Sequence, residues 1–209
     1  MLTLAVDTAA EIGSIALCDE NGALEQARLT APGGFGQTLF GELEALLARR
    51  RVRLADIDLY AAANGPGSFT GVRIGLAAIK GLAEVAGKPA VGISNLAALA
   101  EYGSEEVRAA IIDARRGEVF AALFERGAEI IPASVLSFAA FLELVGNRTV
   151  EWITAGFDVG LPATTAPPEL AQMIARLAVR RFTSGEPCDP ASIEANYVRR
   201  SDAEISWKA

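Results

Sequence analysis

The chain of 209 residues contains no histidine. A Ser-His-Asp or Cys-His catalytic site is therefore excluded, and imidazole cannot serve as a metal ligand. Cysteine is nearly absent too: Cys18 and Cys188 stand far apart without a C-x-x-C spacing, so neither a zinc knuckle nor a disulfide framework is indicated. Basic residues are outnumbered, 19 against 26 acidic ones, for a formal net charge of -7. That balance argues against a protein that binds nucleic acid by itself, because phosphate contacts need clustered Lys and Arg. No apolar run reaches the about 20 residues of a membrane span. The opening MLTLAVD has no basic segment ahead of its apolar residues, so it reads as a strand and the chain as cytoplasmic, without a membrane association.

What is present is the make-up of a folded globular protein, with 51% hydrophobic and 22% charged residues. Residues 2–6 and 12–18 are short and β-leaning, and Glu20-Asn21-Gly22 turns the chain into a third strand over 23–30. A helix follows in FGQTLFGELEALLARR, with Leu39, Phe40, Leu43, Leu46 and Leu47 at helical spacing. The spacing predicts strands over 57–63 and 89–93 and helices over 68–86 and 95–101. The pattern then restarts. RAAIIDARRGEVFAALFERGAEII is again a strand ending in Asp, a tight turn, a second strand and a glycine hairpin, with Asp113 where Asp7 fell. A helix (137–145), a strand (150–155) and a helix (169–183) complete a shortened copy, and a polar tail follows Ser184. This is an α/β fold with an internal duplication, divided into 1–103 and 104–209.

The turn Gly65-Pro66-Gly67 lies between a strand and a helix, where many enzymes hold phosphate. It fits neither common phosphate motif. The dinucleotide fingerprint needs glycine at position 70, which is Thr70, and a P-loop needs a lysine at the helix start, where none occurs before Lys80. Bare amides at the helix start could still hold an anion. The commoner use of these residues is to start a helix: Pro66 fixes φ, and Ser68 or Thr70 caps the first amides. The helix itself carries only Arg73, Lys80 and Glu84 as charges, in one narrow stripe. A helix on one face of a sheet needs an apolar arc of about 100°, and this one exceeds it. Either the chain's own second half covers the surplus, or a partner does. Gly71, Gly75 and Ala78 supply small residues for close approach, and Leu39, Leu43, Leu46, Arg73, Leu76, Ile79 and Lys80 are the candidate interface.

LAVDTA at 4–9, GPGSFTGVRIGLAAIKGLA at 65–83, IDARRGEVFAALF at 112–124 and YVRR with ISWK at 197–208 resemble the TsaB (YeaZ) family along nearly the whole chain. The resemblance implies an actin-like ATPase (ribonuclease H-like) fold of two similar lobes. It implies a non-catalytic subunit that pairs, through the two helices just described, with a catalytic TsaD-type subunit. Together they make N6-threonylcarbamoyladenosine beside the transfer-RNA anticodon. A TsaE-type ATPase is the further partner, transfer RNA is met only through the complex, and the chain alone either pairs with a second copy through the same face or stays a monomer. No cofactor of its own is implied; ATP or ADP and a metal belong to the partner or the shared interface. Asp7 and Thr8 would then be a vestige of a nucleotide site or a plain strand end. Arg115 and Arg116 are either solvated turn charges or contacts to an acidic partner or RNA phosphate. A small-molecule kinase and a peptidase are the competing functions. The sequence departs from the family pattern at Gly34-Phe35-Gly36, where Gly-His-Ser is usual, and at Ala195–Arg199, where Pro-x-Tyr-Leu-Arg is usual.

Overall fold

The computed structural model describes residues 1–30 and 33–198, which divide into two units. Among the described residues, unit 1 holds 1–95 and 168–195, and unit 2 holds 96–167 and 196–198. The expected single cut near residue 103 is thus corrected: the division is discontinuous, because two helices pack outside their own half of the sequence. Leu96, Leu99 and Ala100 enter the core of unit 2, and the helix at 171–183 lies on the sheet of unit 1.

Unit 1 is built on strands β1 (Thr3–Asp7), β2 (Gly13–Asp19), β3 (Gly22–Leu29), β4 (Leu59–Ala63) and β5 (Ala90–Ile93). Their order is β3-β2-β1-β4-β5, with β1 antiparallel to β2 and parallel to β4. Helix α1 (Leu39–Arg50) packs on β3, and α2 (Phe69–Ala86) packs on β1, β4 and β5. The helix at 171–183 packs on β1, β2, β4 and β5. Every residue of β1, β4 and β5 is buried, which explains why these strands read as continuous apolar runs without alternation. Each fully buried leucine or isoleucine here contributes about 1.5–3 kcal/mol relative to exposure.

Helix α3 (Asn95–Ala100) leads into unit 2, with strands β6 (Val107–Asp113), β7 (Glu118–Glu125), β8 (Ala128–Ser137), β9 (Glu151–Thr154) and β10 (Thr164–Thr165). Helix α4 (Phe138–Val145) follows β8, and α5 (Ala171–Thr183) returns to unit 1. The sheet order is β10-β9-β6-β7-β8, with β6 antiparallel to β7 and parallel to β9. Position for position this is the order of unit 1, so β6 takes the place of β1. Its side chains alternate: Ala110 joins Phe120, Ala122 and Ile153 on one face, and Ala109 and Ile111 join Val119, Leu123 and Phe141 on the other. One element has no counterpart. Between β4 and β5 unit 1 carries α2; between β9 and β10 unit 2 carries only a loop, 155–163.

Candidate interaction surface on α1 and α2

Strand β1 ends in Asp7, and the turn after it lies directly beneath the start of α2. Ser68 N–H donates to the Ala9 carbonyl at 2.7 Å, and the Thr8 hydroxyl donates to the Gly71 carbonyl at 2.7 Å. A side chain cannot fit between them: a Cβ at Gly71 would stand 1.9 Å from the Thr8 carbonyl oxygen, and one at Gly67 2.4 Å from that of Ala9. At Gly75 it would stand 2.6 Å from the Thr8 hydroxyl. Gly71, Gly75 and Ala78 are therefore buried within unit 1, and the expectation that they form a landing surface for an outside helix is corrected.

The Gly65-Pro66-Gly67 turn starts and aims this helix. Asn95 holds it by donating its N–H to the Gly65 carbonyl at 2.9 Å and accepting from Gly65 N–H at 3.0 Å on its side chain. The other end of that side chain donates to Asp7 Oδ1 at 3.2 Å, which also accepts from Ala9 N–H at 2.9 Å. Ser68 caps the helix by accepting from Gly71 N–H at 3.3 Å, whereas Thr70 is exposed and makes no cap bond. The amides of Gly65, Ser68 and Gly71 are thus spent on protein acceptors, which removes them from any phosphate cradle. Asp7 is fully buried with Oδ2 unpartnered. Burial pushes its carboxyl above the usual carboxylate range, against the Ala9 and Asn95 donors that pull it down. With Thr8 committed to α2, this strand end has the form of a structural joint.

Side-chain exposure then sorts the candidate interface. Leu39, Leu43, Leu46, Leu76 and Ile79 are between 0% and 6% exposed. They form the inward faces of α1 and α2 and offer nothing to a partner, so their assignment to the interface is corrected. Lys80 is half-buried, and its ammonium donates to the carbonyls of Ala191 at 3.1 Å and Ile193 at 3.0 Å, tying down the segment after α5. Arg73 is exposed, with its guanidinium 3.7 Å above the Phe69 ring. The outward face of α2 is instead Thr70, Arg73, Ala77, Gly81, Glu84 and Val85, with Val85 90% exposed. On α1, Phe40 is 55% exposed. Residues four apart share a helix face, so Ala77 and Gly81 leave a shallow strip bordered by Ile74 and Val85. The sequence holds a signal for this face: Phe40 follows Leu39 and Ala77 follows Leu76, each one position round from an inward-facing leucine.

Phe35, standing where a histidine was the family expectation, is buried, and its ring lies 3.0 Å from where a Cβ on Gly13 would sit. The family-like tail after Val198 lies outside the described residues. Among the described residues no cluster of three Cys, Asp or Glu could hold a metal, and no helix is long and apolar enough to cross a membrane.

A protein family described as TsaD, tRNA N6-adenosine threonylcarbamoyltransferase, matches residues 35–174. The tRNA threonylcarbamoyladenosine biosynthesis protein TsaB of Escherichia coli K12 is 36% identical over 230 aligned positions, covering 100% of this chain and 97% of its own. Among solved structures, a Pseudomonas aeruginosa protein described as similar to peptidase YeaZ superposes with a TM-score of 0.79 at 29% identity, over 95% of this chain and 99% of its own. YeaZ of the same organism gives 0.77 at 28%, over 94% and 99%. The two-sheet architecture is accordingly the actin-like one.

Proposed function

Because the chain belongs to the TsaB family, we propose that it serves N6-threonylcarbamoyladenosine formation on transfer RNA as the non-catalytic partner of a TsaD-type transferase. The observation that carries this reading is the outward face of α2. An 18-residue helix buries one side against its own sheet and leaves Ala77, Gly81 and Val85 exposed, and Phe40 of α1 is exposed as well. Exposed apolar strips on a folded protein mark interaction sites. Small residues at their centre let a second helix approach toward the short end of the about 8–10 Å range of helix packing.

The residues at hand support the non-catalytic part of this reading. The chain has no histidine, Thr8 is hydrogen-bonded to α2, and Asp7 is fully buried beneath the α2 turn. A peptidase using histidine as base or ligand is excluded by composition, and a kinase would need α2 displaced to reach the Asp7 carboxyl. ATP or ADP and a metal then belong to the transferase or the shared interface, a TsaE-type ATPase joins the assembly, and RNA is met through the complex in the cytoplasm. A second copy occupies the same face when the transferase is absent, since a two-fold pairing needs only one self-complementary patch.

The test is a pair of adjacent substitutions. Ala77→Glu places a charge on the exposed strip and should weaken pairing with the TsaD-type subunit by about a hundredfold, leaving the thermal melt of the free chain unchanged. Leu76→Glu, one position away but 6% exposed, should instead lower the melting temperature, because it buries a charge. Full affinity in folded Ala77→Glu would put the interface elsewhere.

A further inference from the structure

Helix α1 ends in Arg49-Arg50-Arg51-Val52-Arg53, which places four arginines within five positions of a chain whose net charge is -7. All four are exposed. We propose that this helix end is a contact for the phosphate backbone of transfer RNA, contributed by this chain to the assembled complex. The proposal rests on the reading of the protein as a subunit of an RNA-modifying assembly and goes beyond it in naming the RNA contact.

Two of the four have local work. Arg49 pairs with Glu25 at 2.6 Å, and Arg53 with Asp56 at 2.7 Å, where it closes the short helical turn 54–56. Among the described residues no carboxylate pairs with Arg50 or Arg51. Nor could the helix supply one: the positions three and four before Arg50 are Leu47 and Leu46, and those before Arg51 are Ala48 and Leu47. Favourable interaction with the helix dipole amounts to about 0.3–1 kcal/mol per cation, and Arg49 and Arg50 in the last turn already provide it.

Arg51 is the more telling residue. The helix closes by two bonds, Arg51 N–H to Ala48 at 3.1 Å and Val52 N–H to Leu47 at 3.0 Å, and this closure puts Arg51 in the left-handed region at φ 56°. Glycine is the usual occupant of such a position. A side chain there costs about 1 kcal/mol, and at the equivalent place after α2 the chain does use glycine, Gly87 at φ 63°. At the end of α1 the chain carries instead a cation held in a rigid closure.

A phosphate backbone fits this patch better than a protein surface does. Protein interfaces are organised around a desolvated apolar centre with arginines embedded in it, and the patch offers only Leu54 at 37% exposure. Contacts to phosphate need charge and reach alone. The patch lies about 15 Å along α1 from Phe40, at 1.5 Å per residue.

The experiment uses the complex of the full chain with its TsaD-type subunit and fluorescently labelled transfer RNA, titrated by anisotropy between about 50 and 200 mM salt. Arg50→Gln/Arg51→Gln should weaken RNA binding about tenfold at the lower salt and make the logarithmic salt slope shallower by about two. Arg50→Lys/Arg51→Lys should keep the wild-type slope, since phosphate reads charge. Pairing of the two subunits is measured first, without RNA. An unchanged slope and affinity in the Gln variant with pairing intact overturns this proposal alone. Weakened pairing in that variant also overturns it, by assigning the patch to an acidic protein surface. Failure of the wild-type chain to pair at all overturns the subunit reading and this proposal with it.

Discussion

Asp7 and Asp113 each close the central strand of a five-stranded sheet with the same strand order, yet Asp7 is fully buried and Asp113 keeps 36% of its side chain exposed. Above Asp7 the chain runs into α2, whose glycines press on Thr8 and Ala9. Above Asp113 no such helix follows, because the segment between β9 and β10 is a loop. The turn is then free to point outward. Asp113 accepts from Arg115 N–H at 2.7 Å, and Arg115, Arg116 and Gly117 all take left-handed backbone angles, at φ 63°, 57° and 76°. One motif has become a packed joint, and the other an open turn braced by its own carboxylate. The covering helix makes the difference, since the strand–Asp–turn pattern is common to both.

That comparison is most easily broken at the glycines. Gly71→Val should cost about 3 kcal/mol or more in urea denaturation, because the added carbons meet backbone that cannot yield. Gly156, in the loop that replaces the helix in unit 2, has open space around it and φ 67°. Gly156→Ala should cost about 1 kcal/mol, from the backbone angle alone. Equal losses would mean that α2 does not press on β1.

A smaller effect is the pH dependence that Asp7 brings to stability. Burial raises the folded-state affinity of Asp7 for its proton. Ionising it therefore costs the fold more than the unfolded chain, and stability falls as pH rises from the usual carboxylate value through the raised one. Asp7→Asn removes this dependence. Melting temperatures across the acid-to-neutral range should show the variant gaining on wild type as pH rises, with the gap closing again in acid. A constant gap would assign Asp7 a partner for Oδ2. The smallest effect is expected at the other strand end: Asp113→Ala should lose about 0.5–1 kcal/mol, the worth of one exposed turn bond, with pairing unaffected.

Much of this was legible in the residues. The duplication showed in the repeated strand–Asp–turn–strand pattern, and the two sheets carry it in identical order. The start of α2 was readable from Pro66 and Ser68. Strand β10, two residues long and polar, gave no periodic signal. The outward face of α2 escapes apolar periodicity for a definite reason. Apolar periodicity finds the greasiest row of a helix, and that row is the one its own sheet has already claimed, so Leu76 and Ile79 point inward while Ala77 and Gly81 remain outside.

By itself the sequence determined the order of the main strands and helices, the exclusion of histidine chemistry and the start of α2, which rest on composition and on neighbours within a few positions. Only the tertiary structure decided that α3 and α5 pack outside their own halves. It also decided that Asn95 braces Asp7 across 88 positions, and that Ser14 accepts from the first amide of α5 across 157. Such contacts join groups whose separation along the chain carries no local signature. They are selected by which surfaces remain apolar once the sheets have formed, and that is settled by the whole chain at once.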